Sequence, residues 1–280
     1  MKRHSLLSIL FLSIAIGGVA FLASPASACG SDTDCQLGDR TYRIKMPDGW
    51  DGSSKVGAIV FMHGYRGTAA GIMRNKSLTK AVSNLGLALI APKSLRADWA
   101  IPNAPNAADK NDQSEFAYFD ALIADVIQNH HIDAKRIMAS GFSAGGMMVW
   151  NLICQRSERF AAFAPIAGTF WKEPPRSCPS PVPHVIHTHG TADKTVPLTG
   201  RRIADTKQGD VFETLAMMRA ATPYKNPVRS TSGMLTCQRE TNAQGKVLEL
   251  CLHSKGHTFR TEFVVRAWKE FEKLGAMGDS

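Results

Sequence analysis

Short apolar segments alternate with helical segments along most of this 280-residue chain. The apolar segments have the length of buried strands, and the segments between them carry apolar residues at helical spacing. Strands and helices that alternate in this way form a parallel sheet covered by helices on both faces, so the fold class is α/β. The predicted strands are 56–62, 87–91, 136–139, 160–166, 182–189 and 247–253, and the predicted helices are 76–85, 116–128, 145–154, 211–221 and 261–274.

Residues 1–28 have the pattern of an export signal. A basic start is followed by an apolar run over 6–23, and Ala26, Ser27 and Ala28 then form a small-x-small cleavage pattern. We predict that this segment is removed and that 29–280 form one domain, which is secreted or periplasmic. An uncleaved anchor and a lipoprotein attached at Cys29 are the alternatives.

The six cysteines all lie after the predicted cleavage site. An even number of cysteines in an oxidising compartment predicts three disulfides, although six cysteines allow fifteen pairings. Pairing of nearest neighbours is the simplest choice, and it gives Cys29–Cys35, Cys154–Cys178 and Cys237–Cys251. No CxxC or histidine spacing accompanies them, so we do not expect the cysteines to form a metal site.

Charge and composition limit the partners of this chain. Its 33 Lys and Arg outnumber its 24 Asp and Glu, giving a net charge of +9. The excess is spread along the sequence, without a block of like charges or a nucleic-acid motif, so we expect no nucleic-acid partner. No segment after the leader approaches transmembrane length, so we expect no membrane partner after cleavage. We expect a monomer that acts on a small or oligomeric substrate.

The sequence Gly-Phe-Ser-Ala-Gly at 141–145 fits the G-x-S-x-G nucleophile elbow. In this motif a serine lies on a strained turn from a strand to a helix, and small neighbours are needed where the backbones approach closely. The context agrees, because a predicted strand precedes Ser143 and a predicted helix follows it. We therefore take Ser143 as the candidate nucleophile.

A serine nucleophile needs a base, and the base needs an orienting carboxylate. The expected chain order is serine, acid, histidine. Asp193 follows a predicted strand and is a better candidate acid than Asp205 or Asp210, which lie in a polar stretch beyond it. Two histidines follow Asp193. We choose His257, which lies in a loop after the last strand, and leave His253 as the alternative base.

Two backbone amides must stabilise the oxyanion that forms during acyl transfer. One comes from the residue after the nucleophile, here Ala144. The other comes from the loop after the first predicted parallel strand, where Tyr65 is the candidate and Arg66 remains open. Trp99 and Trp171 lie on predicted loops near the same edge, and we expect them to line a substrate pocket.

Several motifs occur together in the order of one known group of proteins. They are His63-Gly64, 141–148, 165–168, 189–193 and 256–258, spread across 29–274. In these motifs the chain resembles the secreted polyhydroxybutyrate depolymerase and feruloyl esterase-like α/β-hydrolases. The resemblance implies an α/β-hydrolase fold without a large lid domain and a serine carboxylesterase without a cofactor.

The resemblance also implies roles for individual residues. Ser143 is the nucleophile, Asp193 the acid and His257 the base, with Tyr65 and Ala144 supplying the oxyanion amides. Two features depart from the family. Thr258-Phe259 stands where many members have Trp-Pro, and neither a linker nor a polymer-adsorbing domain follows, which favours soluble esters over crystalline polyester.

We therefore predict an exported serine carboxylesterase. Only about 15 residues separate the strand that ends at Ile166 from the next strand at Val182, which predicts an open site. The first expected substrates are 3-hydroxybutyrate-type oligoesters. Feruloyl or acetyl esters of plant polysaccharides are the alternative, and a serine peptidase or a non-catalytic binding module ranks lower.

Overall fold

The computed structural model describes residues 29–105 and 113–278, so the predicted leader lies outside the described residues. Most of its strands form one ten-stranded sheet. The strands are β1 (Cys35–Leu37), β2 (Arg40–Lys45), β3 (Val56–Met62), β4 (Ala88–Pro92), β5 (Ile132–Phe142), β6 (Ala162–Ile166), β7 (Val185–Gly190), β8 (Arg202–Ile203), β9 (Thr206–Lys207), β10 (Tyr224–Ser232), β11 (Leu235–Asn242) and β12 (Val247–His253). Strands β8 and β9 form a separate small hairpin.

The large sheet has the order β1-β2-β4-β3-β5-β6-β7-β12-β11-β10. Its six central strands, from β4 to β12, run parallel, whereas β1, β2, β10 and β11 extend the two edges in antiparallel pairs. The chain runs from β3 to β4 and then returns past β3 to β5. Ligands of such sheets bind outside the carboxyl ends of the strands where the order reverses, here between β3 and β5.

Helices cover both faces of the sheet, as the sequence predicts. They are α1 (Ala69–Arg74), α2 (Lys76–Ser83), α3 (Gln113–Asn129), α4 (Ala144–Gln155), α5 (Val211–Ala221) and α6 (Thr261–Lys273). Helices α3, α4 and α5 contribute to one hydrophobic core, and α1, α2 and α6 contribute to the other. Helix α4 is apolar all round and almost wholly buried, whereas α6 buries a single stripe containing Phe263, Ala267 and Phe271.

The predicted strands and helices are present within a few residues of their expected bounds, apart from β5, which begins at Ile132 rather than Arg136. Between β6 and β7 the described chain contains no helix, so no large lid lies there. The structure also contains the disulfides Cys29–Cys35, Cys154–Cys178 and Cys237–Cys251. Within the described residues, no helix is both long and apolar enough to cross a membrane.

Candidate active site

Ser143 lies on a sharp turn between β5 and α4. Its φ of 59° and ψ of −122° place it in a backbone region that residues other than glycine rarely adopt. Glycines allow this turn to pack tightly: a Cβ on Gly145 would lie 2.1 Å from the Met62 carbonyl oxygen, and one on Gly146 would lie 2.5 Å from the Ile166 carbonyl oxygen. The Ser143 amide donates to the Ile166 carbonyl at 3.0 Å. The geometry is therefore that of a nucleophile elbow.

Asp193 lies in the loop after β7, with a fully buried side chain. One carboxylate oxygen, Oδ1, accepts the Thr195 amide at 2.8 Å and the Val196 amide at 2.9 Å. The other, Oδ2, lies 2.6 Å from His257 Nδ1. Burial alone would raise the pKa of Asp193, but the bonds from His257 and the two amides hold it below its ordinary value. Asp193 therefore stays ionised beside the imidazole.

His257 lies in the loop between β12 and α6, and its side chain is 17% exposed. Its ring packs on that of Phe142, the residue before Ser143, with 4.6 Å between the ring centroids. This contact brings the histidine loop to the elbow, although no hydrogen bond joins Ser143 and His257 in the described chain. Such a bond is often long before a substrate binds.

The alternative base, His253, has a structural position. It lies at the end of β12, is 3% exposed and stacks on Phe263 at a centroid distance of 5.2 Å. Its Nδ1 accepts the Lys255 amide at 3.2 Å. Burial lowers the pKa of His253. The geometry favours His257 as the base.

The loop after β3 contains both candidates for the second oxyanion amide, and its contacts distinguish between them. A Cβ on Gly64 would lie 3.5 Å from the Cβ of Ser143, so this backbone lies directly against the elbow. The Arg66 amide already donates to the Ala97 carbonyl at 2.7 Å. The Tyr65 amide, in the peptide next to Gly64, therefore suits the role better than Arg66, together with the Ala144 amide at the start of α4.

Both tryptophans that the sequence suggests as pocket residues, Trp99 and Trp171, are buried. Trp99 is 1% exposed, donates from Nε1 to the His63 carbonyl at 2.9 Å and packs on the His63 ring. Trp171 is 7% exposed and forms a backbone bridge to Gln208. Burying a large aromatic ring lowers the free energy relative to leaving it exposed on a loop. Both tryptophans therefore pack beneath their loops. Tyr65, by contrast, is half exposed.

Two described clusters bring together three residues of metal-binding type. They are Cys29, Cys35 and His130, and Cys237, Glu249 and Cys251. In both clusters the two cysteines form a disulfide with each other, so their sulfurs are not the thiolates that bind a metal. The prediction that the chain needs no metal or cofactor stays a prediction.

The sequence pattern does not single out the residues that support Asp193 from within β7. His187 and His189 are both fully buried, and they connect the core to Asp193. In the sequence they show only as alternate histidines within an apolar strand. The signal that could have identified them is that spacing, since residues two apart in a strand lie on the same face.

An elbow serine after β5, an acid after β7 and a histidine after β12, all at the carboxyl edge of a doubly wound sheet, define an α/β-hydrolase. The model of the phospholipase/carboxylesterase family matches residues 51–219. This chain belongs to that family of carboxylic ester hydrolases.

Individual relatives agree with this assignment. Feruloyl esterase C of Emericella nidulans is 27% identical over 173 residues, which are 59% of each chain. The putative esterase NocK of Nocardia uniformis is 26% identical over 163 residues, which are 58% of this chain and 47% of the relative. The matches thus span about half to three fifths of the relatives' length.

The fold is also shared with solved structures. An acetyl xylan esterase from Aspergillus awamori superposes with a TM-score of 0.62 at 16% sequence identity. The superposition covers 87% of this chain and 98% of that one. The α/β-hydrolase architecture expected from the sequence is therefore confirmed.

Proposed function

We propose that this protein is a serine carboxylesterase that forms an acyl-enzyme on Ser143. The hydrogen bond between Asp193 and His257 carries the proposal, because it fixes a histidine loop against the elbow of Ser143. A serine hydroxyl is weakly nucleophilic unless a base accepts its proton, and an imidazole oriented by a carboxylate is suited to this task.

The reaction follows from this geometry. Ser143 Oγ adds to the ester carbonyl while His257 Nε2 accepts its proton, and the Tyr65 and Ala144 amides donate to the oxyanion. The tetrahedral intermediate collapses, the alcohol leaves with the proton from His257, and the acyl group remains on Ser143. Water then adds to the carbonyl of the acyl-enzyme while His257 accepts its proton. When this second intermediate collapses, the carboxylic acid is released and His257 returns the proton to Ser143. The Asp193 carboxylate stabilises the imidazolium in both halves.

For the substrate, we propose feruloyl or acetyl esters carried by plant polysaccharides. The names of the feruloyl esterase relatives and of the acetyl xylan esterase neighbour support this choice. The short segment between β6 and β7 supports it as well, because the described chain has no helix there that could cover the site and hinder a bulky ester. Oligoesters of 3-hydroxybutyrate, the first expectation from the sequence, become the second candidate, since only the motif resemblance favours them.

We also propose that the protein is exported as a single catalytic domain and acts as a monomer. All six cysteines are paired in disulfides, which persist in oxidising compartments. N-terminal sequencing and light scattering of protein recovered from the periplasm or the medium test this proposal. A chain that begins at Cys29 and has the mass of one copy is expected.

The test of the function is a substrate panel run on wild type and on Ser143→Ala. Methyl ferulate, acetylated xylan, a 3-hydroxybutyrate oligomer, p-nitrophenyl butyrate and a peptide anilide represent the competing functions. We expect the variant to lose at least about 10³-fold in kcat/KM on esters, since removing a nucleophile abolishes the acyl-enzyme. Ser254→Ala, which changes an exposed serine of the histidine loop, is the matched control.

Each result of the panel has a distinct meaning. Preferred turnover of ferulate or acetylxylan supports the proposed substrate, and preferred turnover of the oligomer supports the second candidate. Preferred turnover of the anilide identifies a peptidase. Equal rates for wild type and Ser143→Ala, or no turnover of any ester, overturn the esterase proposal.

A further inference from the structure

A buried chain of hydrogen bonds leads from the core to Asp193. His187 and His189 lie on the same face of β7, and their side chains are fully buried. His187 Nε2 lies 2.9 Å from His189 Nδ1. His189 Nε2 lies 2.8 Å from the Val196 carbonyl oxygen and 3.5 Å from Asp193 Oδ2. The same carboxylate oxygen binds His257 at 2.6 Å, so two imidazoles face one oxygen.

The direction of these bonds follows from one acceptor. A carbonyl oxygen only accepts, so His189 must carry its proton on Nε2 to bond with Val196. A neutral His189 then has a lone pair on Nδ1, which accepts the Nε2 proton of His187. His187 Nδ1 is left as an acceptor in the core, without a partner among the described residues. The ring of Trp150 lies 5.6 Å away, and its buried Nε1 donor has no described partner either.

His189 also fixes the orientation of the carboxylate. The peptide groups on both sides of Val196 are held, because the Val196 amide donates to Asp193 Oδ1 at 2.9 Å and its carbonyl accepts from His189. The loop that carries the acid is therefore closed against β7. Asp193 Oδ2 is the oxygen that remains for His257.

A cationic His189 would compete with His257 for the Asp193 carboxylate. Protonating His189 requires a proton on Nδ1, where the N–H of His187 already points, so two donors would face each other at 2.9 Å. Burial lowers the pKa of both His187 and His189. The other titratable groups that face His189 are Asp193, which raises its pKa, and His257 and His253, which lower it.

We propose that His187 is a positioning residue that holds His189 as its neutral Nε2–H tautomer. The negative charge of Asp193 then stabilises the imidazolium of His257 alone. The kinetic consequence rests on the proposed function, because it is read through turnover at Ser143. The tautomers themselves do not depend on it.

Three variants separate this role from simple packing. His187→Leu removes the donor to His189 at similar volume. His187→Gln places an amide N–H where Nε2 lies, and is the conservative rescue. The double variant His187→Leu/His189→Gln also lacks the donor, but it replaces the freed imidazole with an amide that does not titrate and can still bond to Val196.

The readout is the pH dependence of kcat/KM from pH 5 to 8 on the best ester of the panel. In His187→Leu, His189 becomes free to bind a proton, so the acid limb becomes steeper and moves to higher pH. The quantity to compare is the ratio of kcat/KM at pH 6 to its plateau value in the same protein. We expect this ratio to be about five-fold lower in His187→Leu than in wild type. His187→Gln and the double variant should both return to the wild-type profile. An equal loss at every pH in His187→Leu, or an unchanged shift in the double variant, overturns the proposal.

A second readout does not need turnover. The ¹⁵N resonances of the histidine rings in the wild-type protein report the tautomer directly, and we expect neutral Nε2–H forms of His187 and His189 throughout pH 5 to 8. A protonated Nδ1 on His189 in that range overturns the proposal, even if His187→Leu does not fold. A protein without esterase activity would instead overturn the proposed function and leave this measurement valid.

Discussion

Asp193 binds His257 through one carboxylate oxygen and two backbone amides through the other, at 2.6 Å, 2.8 Å and 2.9 Å. The two oxygens of the carboxylate therefore have different tasks: Oδ1 holds the loop and Oδ2 orients the imidazole of His257. An amide side chain can perform the first task but not the second, because its NH₂ group cannot accept a hydrogen bond from His257 Nδ1.

Asp193→Asn should therefore lower kcat/KM on esters by roughly 10³–10⁴-fold while the protein stays folded. The asparagine oxygen can still accept the Thr195 and Val196 amides, but the NH₂ group favours the wrong tautomer of His257. Steady-state kinetics and circular dichroism test this together, with Asp205→Asn, an exposed position, as the control. A loss below ten-fold would contradict the role of Asp193.

Gly145→Ala should destabilise the protein by about 3 kcal/mol or more. The added methyl group would lie 2.1 Å from the Met62 carbonyl oxygen and 2.8 Å from the His63 carbonyl oxygen, so β3 and α4 would have to separate. Urea unfolding measures the change. Gly30→Ala is the control, because its methyl group has a single neighbour at 4.0 Å. Equal stability of the two variants would show that the elbow is less tightly packed than the structure indicates.

The central strands could be predicted because they are buried on both faces and read as continuous apolar runs. The edge strand β10 could not, since nearly all of its residues are exposed and its sequence has no apolar alternation. Strand β11 is likewise rich in polar residues, and its pairing with β12 depends on the partner strand rather than on local pattern.

The candidate triad could be predicted because its chemistry demands particular residue types in a particular order. The pocket could not, because nothing in the sequence shows that Trp99 turns inward to donate to the His63 carbonyl. The choice between Tyr65 and Arg66 also depends on a long-range bond, from the Arg66 amide to Ala97. Features that depend on contacts between distant loops are visible only in the folded chain.

Acid should destabilise the protein partly through His184. Burial lowers the pKa of His184 from 6.5 to about 4, so the unfolded chain binds the proton more tightly than the folded one. The free energy of unfolding therefore falls as the pH is lowered from about 6.5 to about 4, by at most roughly 3 kcal/mol from this group.

His184→Asn tests this contribution. The asparagine oxygen can accept the Val247 amide in place of His184 Nδ1, which lies 3.4 Å from that nitrogen. Urea unfolding at pH 7 and at pH 4.5 should show a smaller decrease for the variant than for wild type. His131→Asn, which removes an exposed histidine, should leave the decrease unchanged. If the free energy of unfolding decreases equally in His184→Asn and wild type, other groups cause the acid sensitivity.

Glu249 makes two ion pairs beneath α6, and its side chain is only 1% exposed. Its oxygens lie 2.7 Å from Arg239 Nη2 and 2.6 Å from Arg266 Nη2. Arg239 has a second partner in Glu270, at 2.8 Å, so losing Glu249 chiefly affects Arg266. Glu249→Leu should therefore cost about 3–5 kcal/mol, because it leaves a largely buried guanidinium without its anion.

The double variant Glu249→Leu/Arg266→Leu should recover most of that stability, since apolar residues of similar volume can replace a buried pair at little cost. Glu262→Gln, which removes an exposed partner of Arg260, should change the free energy of unfolding very little. Urea unfolding at pH 7 compares the three variants with wild type. If Glu249→Leu and the double variant lose the same stability, the cost comes from packing around β12 rather than from the unpaired charge of Arg266.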